Sequence, residues 1–578
     1  MMVDVNYQKR KNAELFKSLE DPKSLFLSNT QNYIPIYKRF FELNDTNWNS
    51  INLNHKWYIS NIKESDEENS NVFNCKIKNI NTQKTKEKDV FFKLAPLLDP
   101  YKYLIGKYDI NNKNLFKLPD INCDESSVNA KFLDQNNSAY VDGFFIYLTS
   151  NLNQNHNFLH GLDYYGSFLS IKNNYKLNIF DDLDYLTNSD FFNKNKNVLF
   201  KVNNYDHIFQ DENKKKKPIK IEYNLSSKSN LSINSIDDET FEEIFDNDNS
   251  SNLEELIDMS NSNILENNSK TATIKSTSTC SSRTSYTSSE NSDDKESEET
   301  DTEIDELEKE EWEDIDEEDE EDIEETIEAT IPQFPVQVIG MEYCENTFDD
   351  LILSDELKDK NEWFSAFMQI IMILITYQKT FAFTHNDLHT NNVMYNTTDK
   401  KYLYYCYKKK YYKVPTFGKI FKIIDFGRSI YKYNGKIFCS DSFQNGGDAA
   451  TQYNTEPYFN DKKTRLEPNY SFDLCRLACS IFDYLVDDLD EVKDIEKCDP
   501  VKKLVVEWCL DDKGINLLYK NNGDDRYPDF KLYKMIARCV HNHTPQAQLE
   551  RPEFKSFEYT KKDIPSEVID IDSLPSYI

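Results

Sequence analysis

The chain has 578 residues and a formal net charge of −34, enough length for two average domains or one large domain with insertions. Residues 290–328 alone hold 25 acidic and 2 basic side chains, so this one segment carries −23 and the rest of the chain −11. That balance excludes a globally basic nucleic-acid-binding surface, and 11 scattered cysteines without a C-x-x-C pair exclude a disulfide framework.

The cysteines fit a reducing, intracellular compartment, with Cys475 and Cys479 expected on a packed helix face. The N-terminus has no apolar h-region, so no secretory leader is expected. The apolar run Ile370–Ile375 is too short to span a membrane.

Residues 1–50 read as an N-terminal extension with a short helix at Asn12–Leu19 and an aromatic segment at Tyr33–Leu43, packed on the strands that come next in the chain. Residues 51–202 begin with three strands, Lys56–Ile62, Val72–Ile80 and Asp89–Leu94, on β-branched and aromatic content. Lys93 lies in V-F-F-K-L near the end of the third. The loop between the first two, E-S-D-E-E-N-S-N, is acidic and lacks glycine. Tyr140–Leu148 has helical spacing with one acid, Asp142, and H-G-L-D-Y-Y-G-S-F leads into another strand.

Residues 203–330 change character. A tetralysine (Lys214–Lys217), a Ser/Thr-rich run and the acidic block predict a disordered insertion with too little apolar surface to fold. Residues 331–346 resume with a strand at Val336–Met341 and a connector at Glu342–Glu345. Residues 347–560 open with a helix at Phe348–Ile352 and a strongly apolar helix at Trp363–Tyr377, which should be buried.

That second helix delivers the chain to T-H-N-D-L-H-T-N-N-V-M-Y at Thr384–Tyr395. Tyr402–Pro415 reads as an extra hairpin, a solvated edge whose lysines and tyrosines would suit an acidic partner, the chain's own acidic block included. A strand at Lys419–Ile424 leads into I-I-D-F-G-R at Ile423–Arg428. S-F-D-L-C-R-L-A-C-S-I-F opens a helix at Asp473, Met535–Val540 is a late helix, and residues 561–578 form a tail.

An aspartate, an asparagine five positions on and a downstream D-F-G are the parts a phosphoryl-transfer site needs. Asp387 can accept the proton of an attacking hydroxyl, while Asn392 and Asp425 can hold magnesium against a triphosphate. H-x-D-L-x-x-x-N followed by D-F-G resembles the eukaryotic-type protein kinase family. The composition, D-L-H-T-N-N and the hairpin before D-F-G look like the protein kinases encoded by large DNA viruses.

The resemblance implies an α+β, two-lobed protein-kinase-like fold: a small lobe of antiparallel sheet plus one helix, a mainly helical large lobe, and the long insertion within the small lobe. It implies ATP and Mg2+ as cofactors. Lys93 would be the phosphate-binding lysine, with Asp142 as its partner where the family has glutamate. Backbone groups of Glu342 and Cys344 would meet the adenine edge beside Met341. His389 stands where serine/threonine kinases have a lysine and would donate to the transferred phosphate, more strongly when protonated.

His385 would support the loop, Asp473 would accept hydrogen bonds from its backbone, Gly427 would permit the D-F-G turn, and Arg551 would pair with Glu456 or Glu467. Two departures stand out: no glycine-rich phosphate loop, and Asn386 where the family has the arginine that reads activation-loop phosphate.

The implied activity is transfer of the ATP γ-phosphate to Ser/Thr of a protein substrate, in the cytoplasm, or in the host cytoplasm or virion for a viral protein. Nucleic-acid binding and membrane insertion are not expected. H-N-D-L-H also looks like small-molecule phosphotransferases of the aminoglycoside and choline kinase type, and the glycine-free loop would suit a catalytically weak pseudokinase scaffold.

Overall fold

In the computed structural model, residues 5–63, 71–180, 182–203, 327–560 and 567–578 are described. Residues 64–70 of the expected acidic loop and most of the expected insertion at 203–330 lie outside them. The acidic block's docking to the hairpin lies outside them for the same reason.

Alternation of side chains builds the first layer. In Val72–Asn79, Phe73, Cys75 and Ile77 are buried while Lys76 is exposed. Six main strands form an antiparallel sheet: β1 (Leu27–Gln31), β2 (Trp57–Ile62), β3 (Val72–Asn79), β4 (Thr85–Pro96), β5 (Tyr164–Asn178) and β6 (Glu328–Glu342). Their order is β1-β5-β6-β4-β3-β2, with Lys201–Val202 added beside β6.

On β4, Val90 and Phe92 enter an outer apolar layer with Ile59, Ile77, Phe168 and Val338, capped by Leu15 and Leu19 of the helix Ala13–Leu19. The period of two therefore turns Phe91 and Lys93 to the opposite, inner face.

That face is covered by helix α1 (Ser138–His156), which starts at Asn137, whose side chain accepts from the Ala139 N–H at 3.1 Å. Close approach needs Gly143. A Cβ there would stand 2.4 Å from the Gln337 amide on β6. One residue earlier, Asp142 is thereby pressed against the sheet beside Lys93.

β5 and β6 are 15 residues each and pair from Tyr164–Met341 to Asn178–Glu328. The insertion therefore leaves the fold at the end of the ribbon, roughly 45 Å of strand from Met341. β6 already begins at Glu328 and Ile327 is buried, so the ordered chain resumes four residues earlier than the composition indicated. Pairing with β5 overrides the local acidity.

The rest is mainly helical. Helix α2 (Lys360–Phe381) is buried over almost its whole length, and helix α3 (Phe472–Leu485) packs beside the loop that carries H-N-D-L-H. No helix among the described residues is long and apolar enough to cross a membrane. Strands β7 (Val393–Thr397) and β10 (Lys419–Ile423) pair antiparallel, and β8 (Tyr402–Tyr407) and β9 (Lys410–Pro415) form the hairpin between them.

The hairpin is not a solvated edge. Ile569–Asp570 pairs with β8 in parallel and Glu558–Tyr559 pairs with β9 antiparallel, making four strands. Asp572 then caps the hairpin turn, accepting from the Lys408 and Lys409 N–H groups at 2.8 Å each. The fold is thus a mixed α/β structure with one large antiparallel sheet and a helical body.

The N-terminal extension also has a place. Phe40 stacks on Phe144 of α1 and on Phe438, and Arg39 reaches Gln135, Asn136 and the Ile437 carbonyl. It clamps α1 against the segment after D-F-G.

Candidate active site

One ladder brings the motifs together. β7 and β10 pair with Val393 opposite Ile423, and the Ile424 N–H donates to the Asn392 carbonyl at 3.0 Å. Asn392 and Asp425 thereby sit side by side where the ladder ends. Asp425 has φ +61°, the left-handed region that aspartate tolerates better than most residues. This corrects the role given to Gly427: the turn is made at Asp425, and Gly427 does not have a positive φ.

From β4, the Lys93 Nζ lies 2.6 Å from Asp142 Oδ2 and 2.9 Å from Asp425 Oδ1. The other oxygen of Asp142 accepts the Phe426 N–H at 2.9 Å, so one buried carboxylate ties strand, helix and D-F-G together. Burial lifts the Asp142 carboxyl above its ordinary value, with Lys93 opposing. Burial acts against the Lys93 charge, but Asp142 and then Asp425 override it and hold the ammonium protonated. Desolvation pushes the half-exposed Asp425 carboxyl up, but the charge and hydrogen bond of Lys93 together bring it below its ordinary value.

The Phe426 ring completes the connection. It packs 4.6 Å from Phe145 on α1, with His385 at 5.7 Å and Phe383 at 5.9 Å, centroid to centroid. Burying these rings fixes the D-F-G segment inward.

The loop His385–Asn392 is held from below. Asp473, fully buried at the start of α3, accepts the His385 and Asn386 N–H groups, each at 2.9 Å. His385 supports the loop as expected of it, with Nε2 on the Ile424 carbonyl at 2.9 Å. Asn386 is left-handed, φ +64°, and its amide crosslinks the Thr384 and Arg428 carbonyls and the Tyr453 hydroxyl. In place of a phosphate-reading arginine, the chain has a buried tie between this loop and the segment after D-F-G.

Asn392 Nδ2 donates to the Asp387 carbonyl at 2.9 Å and faces His389 Nε2 at 3.0 Å. A donor to a carbonyl must be the amide nitrogen, so Asn392 Oδ1 is turned the other way, free to act as a neutral oxygen ligand. His389 Nε2 then accepts, leaving the proton on Nδ1, which has no hydrogen-bond partner among the described residues. Burial takes the His389 pKa down to about 4. His389 is therefore a neutral imidazole at neutral pH, and the protonated form in which its donation was expected to be stronger is the minor one there.

Asp387 is 7% exposed. Burial pushes its carboxyl up, but Arg428 foremost, then His389, Arg476 and a hydrogen bond from Tyr533, bring it down to about 2. Arg428 also pairs with Asp448 at 2.9 Å. The Tyr533 hydroxyl donates to Asp387 Oδ1 at 2.7 Å and accepts from Arg476 Nε at 3.0 Å.

At the connector, the Glu342 N–H donates to the Asp163 carbonyl at 2.8 Å. Its carboxylate accepts from Lys422 Nζ and from the Asp163 N–H, each at 3.0 Å, and from Asn396 at 3.0 Å. Glu342 thus ties the sheet to the helical body, a role its sequence position did not announce. Cys344 is buried beside it, its thiol pushed up to about 12 by burial. Met341 is buried opposite Phe91.

Arg551 does not reach the segment after D-F-G. It pairs with Glu507 at 2.5 Å, while Glu467 pairs with Arg465 and accepts from Thr455. Sequence reasoning missed Lys422, Arg428, Arg476 and Tyr533. Arg428 directly follows D-F-G and was within its reach; Tyr533, 146 residues beyond Asp387, carries no spacing signal.

Compared with known proteins, the chain matches no family model and no curated protein.

Proposed function

We propose that this chain is a protein kinase of two-lobed, protein-kinase-like fold, transferring the ATP γ-phosphate to Ser/Thr hydroxyls of a protein. The observation that carries the reading is Lys93 held between Asp142 and Asp425 at 2.6 and 2.9 Å. A charged lysine and a half-exposed carboxylate, set beside Asn392 and Asp387, form the constellation that phosphoryl transfer requires.

Asp425 keeps its second oxygen and Asn392 its Oδ1, which suits a magnesium ion that takes few protein ligands. Bound there, magnesium would offset the triphosphate charge. Lys93 would anchor the phosphates. Asp387, ionised across the physiological range, would orient the acceptor hydroxyl and take its proton as the new O–P bond forms and the bond to ADP breaks. His389 would donate from neutral Nδ1 to the transferred group.

Nothing in this arrangement needs a phosphorylated switch. Asp441, after D-F-G, accepts the Ser138 N–H at 2.9 Å and pairs with Lys131 at 3.3 Å, bracing the start of α1. Together with the Phe40 and Arg39 clamp, this keeps Asp142 at Lys93.

The acceptor class is tested by offering the full chain labelled ATP, magnesium, a serine-containing protein and a panel of small alcohols and amino-sugars. Acid-stable label on protein serine or threonine is expected. Label confined to the small acceptors overturns the protein-kinase reading.

A further inference from the structure

Oδ1 of Asp387 is already taken. The filling group is Tyr533, from helix α4 (Phe530–Cys539), whose hydroxyl donates to Asp387 Oδ1 at 2.7 Å. An acceptor hydroxyl that bonds Asp387 through Oδ1 makes this same hydrogen bond, so the phenol and the acceptor compete for that oxygen.

The phenol is clamped there. Arg476 Nε donates to its oxygen at 3.0 Å, and the Arg476 and Arg428 guanidiniums lie 5.1 and 5.7 Å from the ring centroid. Phe472 and Phe530 flank the ring at 6.2 and 5.3 Å. Burial pushes the Tyr533 pKa up to about 12, so the phenol keeps the proton that it donates.

The surroundings also have a charge preference. Arg428 is 8% exposed, and its Nη1 has no hydrogen-bond partner among the described residues. Arg476 is 5% exposed and gives its Nε to Tyr533. Moving the phenol aside would leave the buried Arg428 guanidinium, which keeps Asp448 on Nη2 and has Nη1 unpartnered among the described residues, facing whatever replaces it, an environment that favours an anionic group.

Resting on the phosphotransfer reading above, we infer that the Tyr533 hydroxyl occupies the acceptor subsite, and that the subsite takes a hydroxyl flanked by a carboxylate or phosphate. The acceptor displaces Tyr533 from Asp387 Oδ1, and its acidic neighbour pairs with the Arg428 guanidinium. The chain itself contains such sequences, S-S-E-N-S-D-D and E-S-E-E among them.

The test is steady-state transfer by the full chain, wild type and Tyr533→Phe, to a serine peptide flanked by glutamates and to its glutamine counterpart. Tyr533→Phe keeps the ring and removes one hydrogen bond to a charged group. The KM for the glutamate peptide should fall roughly tenfold or more, with the KM for ATP unmoved. Tyr533→Leu should shift KM in the same direction, and thermal unfolding of both variants verifies that they fold.

An acceptor KM that is unchanged or raised in Tyr533→Phe overturns the occupancy and makes Tyr533 a positioning residue for Asp387. Equal kcat/KM for the two peptides overturns the acidic preference. Absence of transfer in wild type and both folded variants overturns the phosphotransfer reading itself, and this inference with it.

Discussion

Asp142→Asn removes one charge from the most connected point of the site and keeps its shape. The amide oxygen can still accept the Phe426 N–H, now held at 2.9 Å, so the D-F-G segment should stay in place. What is lost is the ion pair at 2.6 Å with Lys93. Breaking a buried pair costs about 3–5 kcal/mol.

Two features reduce the figure here. Lys93 keeps Asp425 at 2.9 Å, and its side chain is 20% exposed. A loss of about 2 kcal/mol in unfolding free energy is expected. Lys93 should then lean wholly on Asp425 and compete with magnesium for that carboxylate. The variant should need several-fold more magnesium for half-maximal transfer and should lose roughly ten- to a hundredfold in kcat/KM. Urea unfolding at pH 7 and a magnesium titration of transfer measure both. Stability within about 0.5 kcal/mol of wild type, with an unchanged magnesium dependence, would refute the reasoning.

Asp473→Ala leaves the buried His385 and Asn386 N–H groups without acceptors, and about 3–5 kcal/mol of stability should go with them; urea unfolding reads this, and Asp473→Asn should lose roughly half. Burial lowers the pKa of His55, His160 and His389 from 6.5 to about 4. The unfolded chain binds these protons below pH 6.5 and the folded chain does not, so stability rises from pH 4 to 6.5 and falls on acidification, by about 3 kcal/mol per histidine. Urea unfolding at pH 7 and pH 5 should differ by the part reached at pH 5, about 2 kcal/mol per histidine, and a flat profile would contradict the assignment.

Legibility followed the range of the physical signal. Residue pattern put Lys93 on a strand and Asp142 on a helix, but their pairing was anticipated only as an implication of the family resemblance. The same holds for Asp473, whose position at a helix start was legible while its bonds to the loop came only from the resemblance. Asn392 and Asp425 were legible as types, and only the β7–β10 ladder made them neighbours.

The remainder depended on contacts that no local pattern encodes. Tyr533 belongs to a helix whose period marks an apolar face and says nothing of the carboxylate it meets. The hairpin at Tyr402–Pro415 reads as an edge because its covering strand, Ile569–Asp570, comes more than 150 residues later. Asp425 rather than Gly427 carries the left-handed turn, since glycine permits that conformation without requiring it.

The central claim is that Asp387, Asn392, Lys93 and Asp425 form one phosphotransfer site. It is tested most directly by incubating the full chain with γ-labelled ATP, magnesium and a glutamate-flanked serine peptide, beside Asp387→Ala and Asp425→Ala. The account predicts label on the peptide with wild type and a loss of roughly a hundredfold or more in each variant. Nucleotide binding by wild type without transfer, or transfer undiminished in Asp387→Ala, would contradict it.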